Sequence, residues 1–134
     1  MKPEQHMRRA FKRLEVARLN LASGYPDDSC NRSYYAMFEA ASAALAVLGI
    51  SPPKTHKGVA KLFQQHVVKP GRVDTNMGAA ISRIERLRLL ADYEGAPVEM
   101  EQAHDALQQA GKFVEVVRTE FLPHFNPDPT SETR

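Results

Sequence analysis

The sequence predicts an all-α fold, an antiparallel up-and-down bundle of four long helices and one short helix. Apolar residues recur at helical spacing along most of the chain, and proline or glycine interrupts that periodicity between successive stretches. No segment alternates apolar and polar residues as a half-buried strand does. The length of 134 residues indicates one domain. We expect a bundle over residues 1–125 and a disordered tail over residues 126–134.

Proline and glycine bound the first two predicted helices. The first is expected from Pro3 to Ala22, because Pro3 suits a first-turn position and Gly24 a C-terminal cap. The second is expected to begin after the segment 26–29, whose polar residues suit an N-cap, and to end at Gly49.

The second half of the chain predicts one short helix and two long ones. The short helix is expected from Thr55 or His56 to Val68, because a proline and a glycine follow it. The two long helices are expected over about residues 75–91 and 99–122.

The second helix has an apolar stripe on each of two opposite sides. The bulky side comprises Tyr34, Met37, Phe38, Ala41, Leu45 and Leu48, and the opposite side comprises Ala36, Ala43, Ala46 and Val47. A helix that is apolar on both sides is covered on both, by neighbours in the bundle or by a second copy of the chain. Because a bundle of this size is not expected to cover both, we predict a homodimer.

Arg32 and Glu39 lie among the alanines of that second side, two turns apart. Charges placed there need a partner, a ligand or water. One interpretation is a salt bridge between helices or subunits. The other is a binding site in which Arg32 holds the phosphate of a nucleotide or RNA, with Glu39 beside it, and these two residues are the candidates for any catalytic role.

The fourth helix carries a second polar cluster. Arg88 and Asp92 are four residues apart on its apolar side, and Tyr93 follows them. The cluster is interpreted either as an ion pair at the edge of the core or as a group that faces a ligand or a partner.

The start of the short helix combines two lysines and a histidine, Lys54, His56 and Lys57. Backbone N–H groups and the helix dipole favour anions at such a position. We therefore consider phosphate binding there, with a purely structural histidine as the alternative.

Composition excludes several classes of protein. A single cysteine permits no internal disulfide and gives no metal signature, and no apolar run approaches the length of a membrane span.

With a net charge of +2, nucleic-acid binding needs a local basic patch. Helix one offers such a face, formed by Arg8, Arg9, Lys12 and Arg13, although a basic solvated surface is the commoner explanation of such a face. The sequence predicts a cytoplasmic protein that binds no membrane, metal or cofactor.

Three segments, taken in order, resemble the prokaryotic HEPN-domain family. They are Asn31–Phe38 (NRSYYAMF), Pro53–Gly58 (PKTHKG) and Arg88–Tyr93 (RLLADY), and the resemblance covers the chain from about Met7 to Arg118. It implies a five-helix bundle that is usually a homodimer. It also implies pairing with a small nucleotidyltransferase in toxin–antitoxin or defence modules, and many members of the wider superfamily are metal-independent endoribonucleases.

The sequence departs from the superfamily's nuclease motif, in which an arginine is followed a few residues later by a histidine. At the corresponding spacings Arg32 is followed by Glu39, and Arg88 by Asp92 and Tyr93. We therefore predict a component that binds a nucleotide, an RNA or a partner protein within such a module. The alternative is a metal-independent endoribonuclease toxin with a degenerate Arg–His site.

Overall fold

A computed structural model describes residues 1–93 and 95–127, and within them every regular element is helical. The prediction of an all-α fold with four long helices and one short helix is confirmed. The helices are α1 (Pro3–Ala22), α2 (Pro26–Val47), α3 (His56–Phe63), α4 (Thr75–Tyr93) and α5 (Met100–Phe121). None of these described helices is long and apolar enough to cross a membrane.

α2 begins earlier than predicted, at Pro26 rather than after Ser29. Pro26 occupies the first helical position, where its fixed φ fits the helix. A backbone N–H at this position has no hydrogen-bond partner within the helix, so proline loses nothing by lacking one. Asp27 and Asp28 then lie in the first turn and complement the helix dipole. Ser29 does not cap the helix, because its hydroxyl donates a hydrogen bond to the carbonyl of Ala17 in α1, at 2.8 Å.

α2 lies at the centre of the bundle and contacts each of the other four helices. Most of both apolar sides is covered by the same chain, since Ala36 and Ala43 are fully buried, as are Met37 and Leu45, whereas Val47 and Leu48 at the end of the helix are 39% and 36% exposed. Two apolar sides therefore do not by themselves require a second copy of the chain, and the homodimer remains a prediction. The sequence pattern showed that both sides are buried but not which helices bury them.

The predicted short helix extends to Val68 as expected, but in two geometries. α3 ends at Phe63, and residues Gln64–Val68 form a π-helical turn in which the N–H of Lys69 bonds to the carbonyl of Gln64 at 2.8 Å. α4 packs closely against this turn at Gly78, where a Cβ atom would lie 2.5 Å from Gln64 Oε1. A larger residue at position 78 would therefore displace the exposed Gln64 side chain.

Cys30 is the one cysteine of the chain, and it is fully buried in α2. Burial, with a smaller effect of the Asp27 carboxylate, raises the pKa of its thiol to about 11. The thiol is therefore protonated at neutral pH and behaves as a small apolar side chain.

The expected tail falls almost wholly outside the described residues. The structure describes only Asn126 and Pro127 of it, and both follow the end of α5 without regular structure. The tail remains a prediction.

Enlarging the alanine side of α2 should destabilise the single chain. Ala36→Leu adds volume where no space exists, and we expect the free energy of unfolding to fall by about 1–3 kcal/mol. Ala79→Leu on the exposed side of α4 is the matched control and should change it by less than about 0.5 kcal/mol. Urea unfolding measures both. Equal small effects would show that the alanine side is not packed as described.

Candidate functional site

A cluster of aromatic and charged side chains lies where α2, α3 and α4 meet. We call it the Arg88 cluster, and its members are Tyr34, Tyr35 and Phe38 of α2, His56 of α3, and Glu85 and Arg88 of α4. Tyr34 is almost fully buried, whereas the other five are only partly buried. The cluster therefore joins the core to the surface of the molecule.

The start of α3 positions His56. Thr55 is the N-cap, because its hydroxyl oxygen accepts a hydrogen bond from the N–H of Gly58 at 3.1 Å. His56 is then the first helical residue, and its ring contacts the rings of α2 edge to face. The centroid distances are 5.1 Å to Tyr34, 5.4 Å to Tyr35 and 4.8 Å to Phe38.

Arg88 stacks against the same tyrosines from α4. Its guanidinium carbon lies 4.8 Å from the centroid of the Tyr34 ring and 5.7 Å from that of Tyr35. One terminal nitrogen lies 3.4 Å from Asp92 Oδ2. Its Nε is buried and has no hydrogen-bond partner among the described residues. Because an unpaired buried donor is unfavourable by about 1–3 kcal/mol, this N–H is suited to a ligand or a water molecule.

Tyr34 and Glu85 fix the inner side of the cluster. The Tyr34 hydroxyl donates a hydrogen bond to Glu85 Oε2 at 2.7 Å. Burial first, and then the Glu85 carboxylate, raise the pKa of Tyr34 well above its usual value, so the phenol stays protonated. Tyr34 thus holds the Glu85 carboxylate, which lies one turn from Arg88 on the same helix.

His56 is held in its neutral form. Burial and the nearby positive charge of Arg88 lower its pKa below the ordinary 6.5, and Glu85 opposes that shift. A neutral imidazole beside a guanidinium can accept a proton or a hydrogen bond at neutral pH. The cluster thus combines a cation, an unpaired buried N–H donor and a base.

The structure brings together only some of the residues that the sequence singled out. His56 and Arg88 meet on the tyrosine rings, and Asp92 pairs with Arg88. Lys54 and Lys57 are exposed on either side of His56 in the chain. Tyr93, at the end of α4, is 81% exposed.

Arg32 and Glu39 lie in different environments, one exposed and the other buried. Glu39 is 5% exposed and joins α2 to α1, since its Oε1 lies 3.0 Å from His6 Nδ1 and its Oε2 lies 3.7 Å from an Arg9 nitrogen. Arg32 is exposed. The geometry favours an inter-helix contact for Glu39, and Arg32 remains a surface cation whose role is a prediction.

Sequence reasoning missed the aromatic members of the cluster and Glu85. Tyr34 and Phe38 were assigned to the bulky core side of α2, and Tyr35 was assigned to neither side. One signal was present, because Glu85 precedes Arg88 by three residues and so shares its face of α4. The missing information was that α3 and α4 cross α2 at the same two tyrosines.

The chain is similar to known proteins over nearly its whole length. A family model described as HEPN domain matches residues 3–120. A UPF0332 protein of Gloeobacter violaceus is 39% identical over 126 residues, covering 91% of this chain and 98% of the relative. A UPF0332 protein of Thermotoga maritima is 34% identical and covers 85% and 86%. "Putative toxin MJ0605" of Methanocaldococcus jannaschii is 30% identical and covers 81% of each.

Removing Arg88 should destabilise the fold moderately. The Asp92 side chain is 55% exposed, so it stays hydrated when Arg88 is removed. We expect Arg88→Ala to lower the free energy of unfolding by about 1–2 kcal/mol, through lost stacking on the tyrosines. Asp92→Asn should change it by less than about 0.5 kcal/mol. Urea unfolding of both variants measures this, and a larger loss for Asp92→Asn would contradict the geometry.

The lowered pKa of His56 should make stability depend on pH. The unfolded chain binds a proton near the ordinary 6.5, whereas the folded chain binds it only at lower pH. Stability should therefore fall as pH drops below about 6.5, until the folded-state pKa is passed. His56→Gln should lose less stability between pH 7.5 and 5 than the parent. His104→Gln, at an exposed position on α5, is the control. Equal changes of stability with pH in all three proteins would refute the prediction.

Proposed function

The chain belongs to the HEPN-domain family, and from that premise we propose that it is a toxin–antitoxin-type HEPN protein whose Arg88 cluster binds the phosphate of a nucleotide or RNA. The archaeal relative that carries a toxin name supports the type of module. The geometry of the cluster supports the ligand class. We take binding, rather than cleavage, as the primary function.

The proposal rests on how the Arg88 guanidinium is positioned and on its unpaired N–H group. Its central carbon lies over two tyrosine rings, and its Nε–H is buried without a partner among the described residues. A guanidinium offers N–H groups in a fixed fork that matches two oxygens of one phosphate. A group fixed in this way loses little conformational entropy when it binds an anion.

Asp92 competes for the same guanidinium. Its carboxylate pairs with Arg88 at 3.4 Å, but more than half of its side chain is exposed. A phosphate can therefore displace it without leaving a buried charge. In this proposal the Asp92 carboxylate competes with anions for Arg88 and so weakens their binding. Its removal should therefore strengthen phosphate binding.

Exposed cations near the cluster suit a ligand with more than one phosphate. Lys54 and Lys57 flank His56 at the start of α3, and Arg32 lies one turn before Tyr35 on α2. Tyr93 is the last residue of α4 and directly follows Asp92. We propose that these residues make the outer contacts, which are weaker and more sensitive to salt than the contact to Arg88.

A second function, RNA cleavage, is favoured by the position of His56. This imidazole lies on the same tyrosine rings as Arg88, although it comes from another helix. In that reaction neutral His56 accepts the proton of a ribose 2′-hydroxyl, and the 2′ oxygen forms a bond to the adjacent phosphorus. The bond from phosphorus to the 5′ oxygen breaks, and this oxygen takes a proton from water. Arg88 stabilises the charge on the phosphorane.

The proposal also includes a partner protein and a second copy of the chain. A small nucleotidyltransferase is the partner that the family resemblance implies, and a homodimer is the implied state of the chain itself. We expect both to operate in the cytoplasm. Neither rests on the two apolar sides of α2, most of which the single chain covers.

Binding of a fluorescent RNA oligonucleotide and of ATP, followed by anisotropy and calorimetry, tests the primary function. Arg88→Ala should weaken binding by about 10- to 100-fold, as expected for the loss of one or two charge-assisted hydrogen bonds. Arg18→Ala removes the same charge from an exposed position on α1 and should leave affinity unchanged. Asp92→Asn should tighten binding. Equal affinities of all four proteins would refute the proposal.

Cleavage is tested with the same oligonucleotide under excess chelator. If the second function is present, a product with a 2′,3′-cyclic phosphate should form with the parent and be lost with His56→Gln. His104→Gln is the matched control. Binding without cleavage by the parent would leave the primary function and exclude the second.

A further inference from the structure

A groove runs between α4 and α5, away from the Arg88 cluster. Two cavities of about 310 and 300 Å³ lie along it, and they share Arg83 and Gln109. The lining residues on α4 extend from Asn76 to Leu90, a length of about 21 Å at the rise of an α-helix. The two helices thus leave an open channel three to four turns long.

The floor of the groove is apolar and continuous with the core. Its residues on α4 are Met77, Ala80, Ile84 and Leu87, and those on α5 are Ala106 and Phe113. Leu90 is 37% exposed where the groove ends. Most of these floor residues are less than 10% exposed, so the apolar surface that the groove offers comes mainly from Leu87 and Leu90.

The rims of the groove are basic. Arg83 and Arg86 line it from α4 and Lys112 from α5, whereas Asp105 is the one carboxylate among the described lining residues. Asp105 accepts a hydrogen bond from the amide of Gln109 at 2.6 Å, and Gln109 accepts one from Arg83 at 2.6 Å. Arg83 is thus bonded to a neutral amide, and the rim keeps an excess of positive charge.

We propose that this groove is the docking site for an acidic amphipathic helix of a partner protein. A third helix in the channel between two others extends the bundle, with its apolar stripe on the floor. Its acidic flanks then lie against Arg83, Arg86 and Lys112, which supplies charge complementarity. The inference does not depend on a ligand at the Arg88 cluster.

The rim charges favour such a partner over a second copy of the chain. Two copies that faced each other across this groove would bring two sets of three cations together against one carboxylate each. Like charges at close range disfavour that contact. An acidic helix meets no such repulsion.

A synthetic peptide tests the proposal with the full-length protein. The peptide has about 18 residues, leucine and alanine at helical i, i+3, i+4 and i+7 positions, glutamate on both flanks, and one tryptophan. Because the protein contains no tryptophan, the emission reports on the peptide alone. A peptide with lysine for glutamate, and one with the acidic sequence scrambled, are the peptide controls.

The acidic peptide should bind, and Arg86→Glu with Lys112→Glu should weaken it by about tenfold or more, because two attractions become repulsions. The same double variant should gain affinity for the basic peptide. Lys61→Glu with Lys69→Glu, at exposed positions outside the groove, is the matched control and should bind like the parent. Thermal unfolding checks that each variant is folded.

Three outcomes would overturn the inference. The acidic peptide could bind no better than its scrambled form, or both double variants could bind it equally well. Light scattering of the protein alone could also give a dimer that Arg86→Glu with Lys112→Glu converts to the 15.0 kDa monomer, which would make the groove a contact between copies.

Discussion

The packing around α2 is the constraint on which the rest of the structure depends. Every other helix contacts it, and it has different side chains for different neighbours. Its alanines, such as Ala36 and Ala43, are fully buried and allow close approach, whereas Tyr34 and Met37 fill the space on the opposite side. Because α2 is enclosed in this way, the rings that project from its bulky side are held in place. The Arg88 cluster is built on those rings.

The sequence predicted the fold well because apolar periodicity and helix-breaking residues are local signals. α1 has the predicted bounds, and the other helices differ by a few residues. The early start at Pro26 was missed although a proline at the first helical position is a local signal, and nothing in the local pattern predicted the π-helical turn at Gln64–Val68. The alanine side of α2 suggested a second copy of the chain, whereas neighbouring helices of the same chain cover most of it, since a pattern within one helix does not identify the helix that covers it.

The candidate site was predictable only in parts. His56 and Arg88 stood out separately, as a histidine at a helix start and an arginine on an apolar stripe. Their meeting depends on where α3 and α4 cross α2, which no local spacing encodes. The same point bears on the missing histidine of the nuclease motif. An imidazole and a guanidinium need proximity in space rather than a fixed interval in the chain, and this fold supplies that proximity through Tyr34 and Tyr35.

The buried thiol of Cys30 has a practical consequence. A thiol reagent needs the thiolate and access to sulfur, and both are denied while α2 stays enclosed. The chain has no other cysteine to react first. The rate of Cys30 alkylation in native buffer therefore reports how often the bundle opens around the start of the central helix.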